Sequence, residues 1–382
     1  MLLKHIVGQK NAKDGFLKMW ESNHLPHALM VVGEEGTGGL PFALAIAQYV
    51  FCKEKKNGDA CGECVDCNKT ARLEHADFHI AFPSISPKPN TKAMSRYFIQ
   101  EFREFIAQTP YASTFDWLQF INAENKQGNI TAEECRDIID QLNLKAYEGG
   151  KKIQIIWRAE YLGKEGNILL KLIEEPPADT LLILVAENLE EVLATIRSRT
   201  QIIRLSPIHA ADIAQGLADR SLADSKRAAQ IAHLANGSFA EALRLTRHTD
   251  NDLFPDVRQW FNALFTNNGM ELTKFADEQS KNGREQQKNL LQYTIQLLEQ
   301  AIRLRYLPHL QPPLPDEEAQ FVRKLAQHKV TFDAMQQMIE ALSRSIYHIE
   351  RNAHSKSIIL SLSIRLVYFI QGKRISNLIG VL

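Results

Sequence analysis

Gly33-Glu34-Glu35-Gly36-Thr37-Gly38-Gly39-Leu40 lies between an apolar run, Ala28 to Val32, and an apolar stretch of helical character, Leu40 to Phe51. A glycine-rich turn that leaves a strand and opens a helix is the context a phosphate-binding loop requires, because the glycines expose backbone N–H groups to phosphate. In a working loop a Lys then reaches the β and γ phosphates, and a Ser or Thr hydroxyl holds magnesium. Gly39 and Leu40 occupy those two positions. The cradle residues Gly33, Gly36, Gly38 and Gly39 therefore read as a degenerate phosphate loop, and tight ATP binding with hydrolysis is not expected. A turn unrelated to nucleotides is the alternative.

Outward from the loop, short apolar runs alternate with helical patterns over the first 207 residues, as in a parallel sheet covered by helices. Strands are expected at Ala28 to Val32, Ile153 to Trp157, Leu181 to Ala186 and Gln201 to Leu205. Helices are expected at Leu40 to Phe51, Thr131 to Leu142 and Gly166 to Ile173, with Thr131 and Glu134 forming a capping box. Phe78 to Asn129, broken early by Pro83, Pro87 and Pro89, reads as an insertion or elaboration.

A second strand of an active P-loop enzyme ends in acidic residues that place magnesium and water. Here Ile153-Gln154-Ile155-Ile156 runs into Trp157-Arg158-Ala159-Glu160. Arg158 stands where a magnesium-ordering Asp is wanted, and Glu160 reads as a solvated or capping carboxylate in preference to a catalytic base. Two separate losses point to a scaffold that has given up the chemistry.

After Ser206-Pro207 the strand signals cease. Ala210 to Leu217, Asp224 to Leu234 and Phe239 to Leu245 read as three short helices around Asn236-Gly237-Ser238. Longer helices follow, with Leu291, Ile295, Leu298 and Ile302 on one, Met335, Met338, Leu342, Ile346 and Ile349 on another, and Ile358, Leu362, Leu366 and Phe369 on a third. Pro308, Pro312, Pro313 and Pro315 mark a loop between the first two. Such stripes are ordinary helix-bundle core.

The 382 residues, 45% hydrophobic and 24% charged, are enough for two or three domains and exclude a disordered or collagen-like chain. Lys+Arg and Asp+Glu both number 45. A protein that grips nucleic acid alone normally carries a basic excess, so DNA binding would be shared with partners. The start, MLLKHIVGQKNAKDG, lacks a secretory pattern, and no run approaches about 18 uncharged apolar residues. A cytoplasmic protein without membrane contact is expected.

Four of the five cysteines follow the spacing Cys52-x8-Cys61-x2-Cys64-x2-Cys67. In a reducing compartment such a cluster reads as metal ligation before disulfides. Four thiolates suit one tetrahedral zinc and leave no open position for water, so the site is structural. Free surface thiols and an iron-sulfur cluster are the alternatives. No His-x-Glu precedes the cluster, as a zinc deaminase needs. His75 and His79 are spare candidates that read as loop residues, and Cys135 reads as a small buried hydrophobe.

Ile196-Arg197-Ser198-Arg199-Thr200 precedes the last expected strand. An Arg at such an edge is usually a surface or carboxylate-paired residue, but its guanidinium can also reach a nucleotide on a neighbouring subunit. Together with Leu25-Pro26-His27-Ala28-Leu29, the four cysteines, and Asn167-Ile168-Leu169-Leu170-Lys171-Leu172-Ile173-Glu174-Glu175-Pro176-Pro177, this segment resembles the delta-prime subunits of the bacterial DNA polymerase III clamp loader. The resemblance covers most of the first 245 residues and extends weakly to Ile349-Glu350-Arg351-Asn352-Ala353.

That resemblance implies an AAA+ α/β domain (1–207, zinc-binding insert at 52–67), a small helical lid (208–250) and an all-α collar for oligomerisation (251–382). It implies a hetero-pentameric ring with motor (gamma/tau) and delta subunits that loads a sliding clamp onto primer-template DNA. Within that ring the family's non-hydrolysing member supplies an arginine finger in trans, here Arg199 with Ser198 as its motif neighbour; Thr200 stands where the family has Cys. Gly237-Ser238-Phe239-Ala240 lacks the Arg of nucleotide-sensing lids. The alternative from another class is an active P-loop ATPase of the motor or helicase type, and a third is a zinc-containing DNA-binding module.

Overall fold

A computed structural model describes residues 1–88, 90–123, 126–148, 150–247, 253–307, 314–350 and 353–372. Pro89, Pro308, Pro312, Pro313, Arg351 and Asn352, and the expected 250/251 boundary, lie outside the described residues. The chain divides into two compact units, Met1–Thr246 and Arg247–Leu382.

The first unit runs α1 (Lys10–Glu21), β1 (Ala28–Val32), α2 (Gly39–Phe51), α3 (Val65–Ala71), β2 (Phe78–Ala81), α4 (Ile99–Gln108), α5 (Thr114–Phe120), α6 (Ala132–Asn143), β3 (Lys152–Trp157), α7 (Leu170–Glu174), β4 (Thr180–Ala186), α8 (Ala194–Arg197), β5 (Gln201–Arg204), α9 (Ala210–Asp219), α10 (Ser225–Leu234) and α11 (Phe239–Arg247). The five strands form one parallel sheet in the order β2-β3-β4-β1-β5. β1, β3 and β4 are buried along their whole length, which is why they read as continuous apolar runs and not as alternating ones. Helices cover both faces. Phe16, Phe42, Ile46, Phe102 and Trp117 pack on one side, and Ile138, Leu142, Leu169, Ile173 and Ile196 on the other. This is an α/β fold, a parallel sheet with helices on both faces.

Phe78 to Asn129 is not an elaboration outside the sheet. It opens with the edge strand β2, too short and too half-buried in its middle residues to show a clear period, and continues into helices whose Phe102 stacks on Phe82 and whose Trp117 meets Phe82 edge-on, with Phe105 against Phe102 and Trp117, all in the main core. The helix expected at Gly166 to Ile173 is partly a 3-10 segment, Ala159–Leu169, which becomes α-helical only at α7.

Thr131 caps α6 as expected, its Oγ1 accepting the Glu134 N–H at 3.3 Å. The returning half of the capping box is absent. The Glu134 carboxylate takes the Ser95 N–H at 2.6 Å instead, and burial pushes its pKa up to about 7. A carboxyl raised on folding binds more protons in the native state, so its contribution to stability is present below the unfolded value of 4.5 and lost as pH rises through about 7. Glu134→Gln keeps an acceptor for Ser95 and removes the titration. Denaturant unfolding should find the unaltered chain gaining on the variant by on the order of 1–3 kcal/mol at about pH 5 relative to about pH 8; an equal difference at both would refute the assignment.

Helices α9 to α11 enclose a small core of Ile213, Leu217, Ile231 and Phe239, joined by Val7 and Tyr111. The second unit is helical throughout its described residues: α12 (Phe254–Thr266), α13 (Gly269–Ser280), α14 (Arg284–Tyr306), α15 (Asp316–Gln327), α16 (Phe332–Glu350) and α17 (Ser355–Ile370). Its core holds Trp260, Phe275, Leu342 and Leu362, with Trp260 Nε1 donating to Ser363 Oγ at 2.9 Å. On α14 the buried stripe is Leu290, Leu291, Thr294, Leu297, Leu298 and Ala301, so Ile295 and Ile302 fall on its half-buried flank. No helix among the described residues is long and apolar enough to cross a membrane.

Candidate functional site

In open parallel sheets ligands bind beyond the carboxyl ends of the strands. β1, β3 and β4 end level with one another, Val32 opposite Ala186 and Trp157 opposite Val185. The glycine loop, Arg158 and Glu187 therefore arrive at one edge. The loop is well ordered by its own bonds: Gly33 N–H donates to Ala186 O at 3.1 Å, Thr37 Oγ1 to Glu34 O at 2.7 Å, and Phe42 N–H to Gly38 O at 2.9 Å. Gly36 and Gly38 hold φ of +80° and +101°, a region glycine enters without strain.

Other segments of the unit pack closely against the loop's glycines. A Cβ at Gly36 would lie 2.0 Å from Ser238 Oγ, and one at Gly38 would lie 3.0 Å from Tyr111 Cε1. Phe239 N–H donates to Gly36 O at 2.9 Å, and Arg244 reaches Glu35 at 2.9 Å. Tyr111 is buried, accepts the Val7 N–H at 2.9 Å and meets the Phe239 ring edge-on at 4.9 Å. Between the loop and Pro110, Tyr111, Trp157 and Glu187 about 20 Å³ remains, the room of a water molecule. Gly237 to Ala240 carries no Arg, and Arg244, one turn further along α11, reaches the loop only through Glu35.

Arg158, at φ +65°, turns back to pair with Glu187. The Glu160 side chain is buried, its Oε1 accepting the N–H groups of Glu187 and Asn188; burial raises its pKa. Glu160 is thus a capping carboxylate for the turn after β4, buried and not solvated. Glu187, which the sequence reading did not single out, carries the balancing charge.

Arg199 lies elsewhere on the unit, between α8 and β5. Its Nε donates to the Glu174 carboxylate at the end of α7, and its Nη1 to Thr195 O at 3.0 Å and Ser198 Oγ at 3.2 Å. The guanidinium is exposed. Thr200 Oγ1 bonds back to Ile196 O and Arg197 O at the end of α8.

The four cysteines converge. Cys52 ends α2 and Cys64 caps α3, while Cys61 and Cys67 complete a group whose sulfurs lie within 4.8 Å of one another. Cys52 and Cys61 sulfurs are 3.6 Å apart and those of Cys61 and Cys67 are 3.9 Å apart, close to the about 3.8 Å edge of a tetrahedron with 2.3 Å metal–sulfur bonds. Backbone N–H groups of Glu63 and Cys64 lower the Cys61 pKa to about 6. Burial raises those of Cys52 and Cys67, a penalty on thiolates that a dication offsets. The group could hold a metal ion.

Asp66, His75 and Glu148 form a second close group. His75 Nδ1 accepts the Asp77 N–H at 3.2 Å, leaving the ring proton on Nε2, which faces Asp66 at 3.8 Å and Glu148 at 3.7 Å. A metal-bound His needs the opposite arrangement, so this cluster is a donor between two carboxylates. His75 lies in the loop between α3 and β2, as expected, though it is buried and stacks on Phe51 at 3.9 Å; His79 lies in β2 and is not the loop residue expected.

A family model described as DNA polymerase III, delta subunit matches residues 8–117 and 114–209. The DNA polymerase III subunit delta' of Bacillus subtilis is 27% identical over 239 residues, covering 62% of this chain and 58% of that one. That of Escherichia coli is 25% identical over 182 residues, covering 47% and 42%. The chain spans about half the length of the curated relatives it matches. Among solved structures, a DNA polymerase III gamma subunit-related protein of Thermotoga maritima is similar at 13% identity and a TM-score of 0.38, with 93% of this chain and 98% of that one covered. The family model spans more than half of the 382 residues, and the chain belongs to the delta-prime family of clamp-loader subunits of bacterial DNA polymerase III.

Proposed function

We propose that this chain is a non-hydrolysing subunit of a replicative clamp loader, assembling with motor (gamma/tau) and delta subunits into a hetero-pentameric ring that places a sliding clamp on primer-template DNA. The observation that carries the reading is a glycine loop with Gly39 and Leu40 in place of the cation and the magnesium ligand, packed at Gly36 and Gly38 against Ser238 and Tyr111. Arg158, paired with Glu187, stands where magnesium would be ordered. The exposed Arg199 is the group such a subunit offers to a neighbour's nucleotide, where it would stabilise charge on the transferring phosphoryl group. Zinc is the metal that best suits four sulfurs at tetrahedral spacing, and it would tie the end of α2 to the start of α3 without an open position for chemistry.

The test is reconstitution with the motor and delta proteins of the same source. The chain alone is expected to hydrolyse no ATP above background, and its addition to be required for ring assembly and for clamp loading. Motor-like turnover by the isolated chain would make it an active ATPase instead, and clamp loading that proceeds without it would remove it from the ring.

A further inference from the structure

We propose that Glu174 is a positioning residue for Arg199, an inference that rests on the trans-finger reading of Arg199. The guanidinium is held at two edges by groups from two elements. The Glu174 carboxylate of α7 takes Nε, while Thr195 O and Ser198 Oγ of the α8 segment take Nη1. Among the described residues Nη2 meets no acceptor. A guanidinium is a planar fork, so fixing Nε and Nη1 fixes its plane and the direction in which Nη2 points. Arg199 therefore presents a pre-oriented donor pair toward solvent and need not leave Glu174 to use it.

The carboxylate itself is 45% exposed. A pair at such exposure contributes little to folding, which separates this role from a structural one. Orientation is a different matter. A charge-stabilising group displaced by about 1 Å loses on the order of a hundredfold in rate, and a freely rotating Arg still samples the right geometry part of the time. Glu174 serves to raise that fraction.

The experiment uses the full chain in the reconstituted ring, reading kcat and KM for DNA-stimulated ATP hydrolysis alongside ring assembly. Glu174→Ala is expected to lower kcat about tenfold with KM and assembly unchanged. Glu174→Gln retains an oxygen for Nε and should recover most of the loss. In an Arg199→Ala background, Glu174→Ala should make no further difference, since the two act as one unit.

Three results would overturn the proposal: an unchanged kcat in Glu174→Ala, a raised one (which would make Glu174 a restraint), or the same fold-loss when Arg199 is already alanine. Failure of the finger reading is distinguishable. In that case Arg199→Ala alone would leave turnover unaltered, whatever Glu174 does.

Discussion

Arg199→Ala is expected to leave the chain folded and the ring assembled while DNA-stimulated ATP hydrolysis by the complex falls by about 10³-fold or more, the range in which arginine fingers act. The size follows from charge. Phosphoryl transfer spreads negative charge over oxygens that a guanidinium can meet in a site from which water is excluded, and an alanine offers nothing there. The sparing of the fold follows from exposure. Arg199 anchors no core residue, and its pair with Glu174 is half open to solvent, so its removal costs under about 1 kcal/mol. Lysine should not rescue the activity, because a point charge cannot make the fixed fork. The measurement is steady-state turnover of the reconstituted ring with assembly followed by size-exclusion chromatography. Turnover within twofold of the unaltered complex would remove Arg199 from the reaction.

Changing both Cys61 and Cys64 to Ser is expected to abolish stoichiometric zinc and loosen one side of the first unit. Structural zinc in zinc-finger peptides is worth on the order of 10 kcal/mol of apparent binding free energy, and residues 52–67 have little else to hold them. Their local core consists of Leu2, Ala60 and the sulfurs themselves. The N-terminus depends on the same loop, since Leu3 and Lys4 N–H groups donate to Asp59 at 3.2 and 2.9 Å. Amide hydrogen exchange should therefore rise both in 52–67 and at residues 2–4, while the sheet stays protected and finger-dependent turnover in the assembled ring persists. Elemental analysis showing equal zinc in the double variant would exclude these sulfurs as the ligands.

How much was legible in the chain depended on the range of the interactions involved. β1, β3 and β4 were readable because buried parallel strands are apolar runs with sharp ends, and β5, though mostly exposed, by its β-branched pair Ile202 and Ile203. β2 was not, since its central His79 and Ile80 are half-buried and its apolar stretch is only four residues long. The four cysteines declared their site because their ligand spacing is local. Glu134 misled for the opposite reason: its position three residues after Thr131 fits a capping box, but Ser95, distant in sequence, offers a better-placed N–H.

From the linear order of residues alone came the α/β and all-α halves, the thiol cluster, and the absence of a Lys and a magnesium-binding hydroxyl from the glycine loop, because each of these is a matter of residue type within a short window. Only the tertiary structure decided what packs against that loop, what holds the arginine and what balances Arg158. Tyr111, Ser238, Arg244, Glu174 and Glu187 reach their partners across 25 to 209 positions or from other strands and helices. Such contacts exist only once the sheet has brought distant segments to one edge, and no local pattern encodes them.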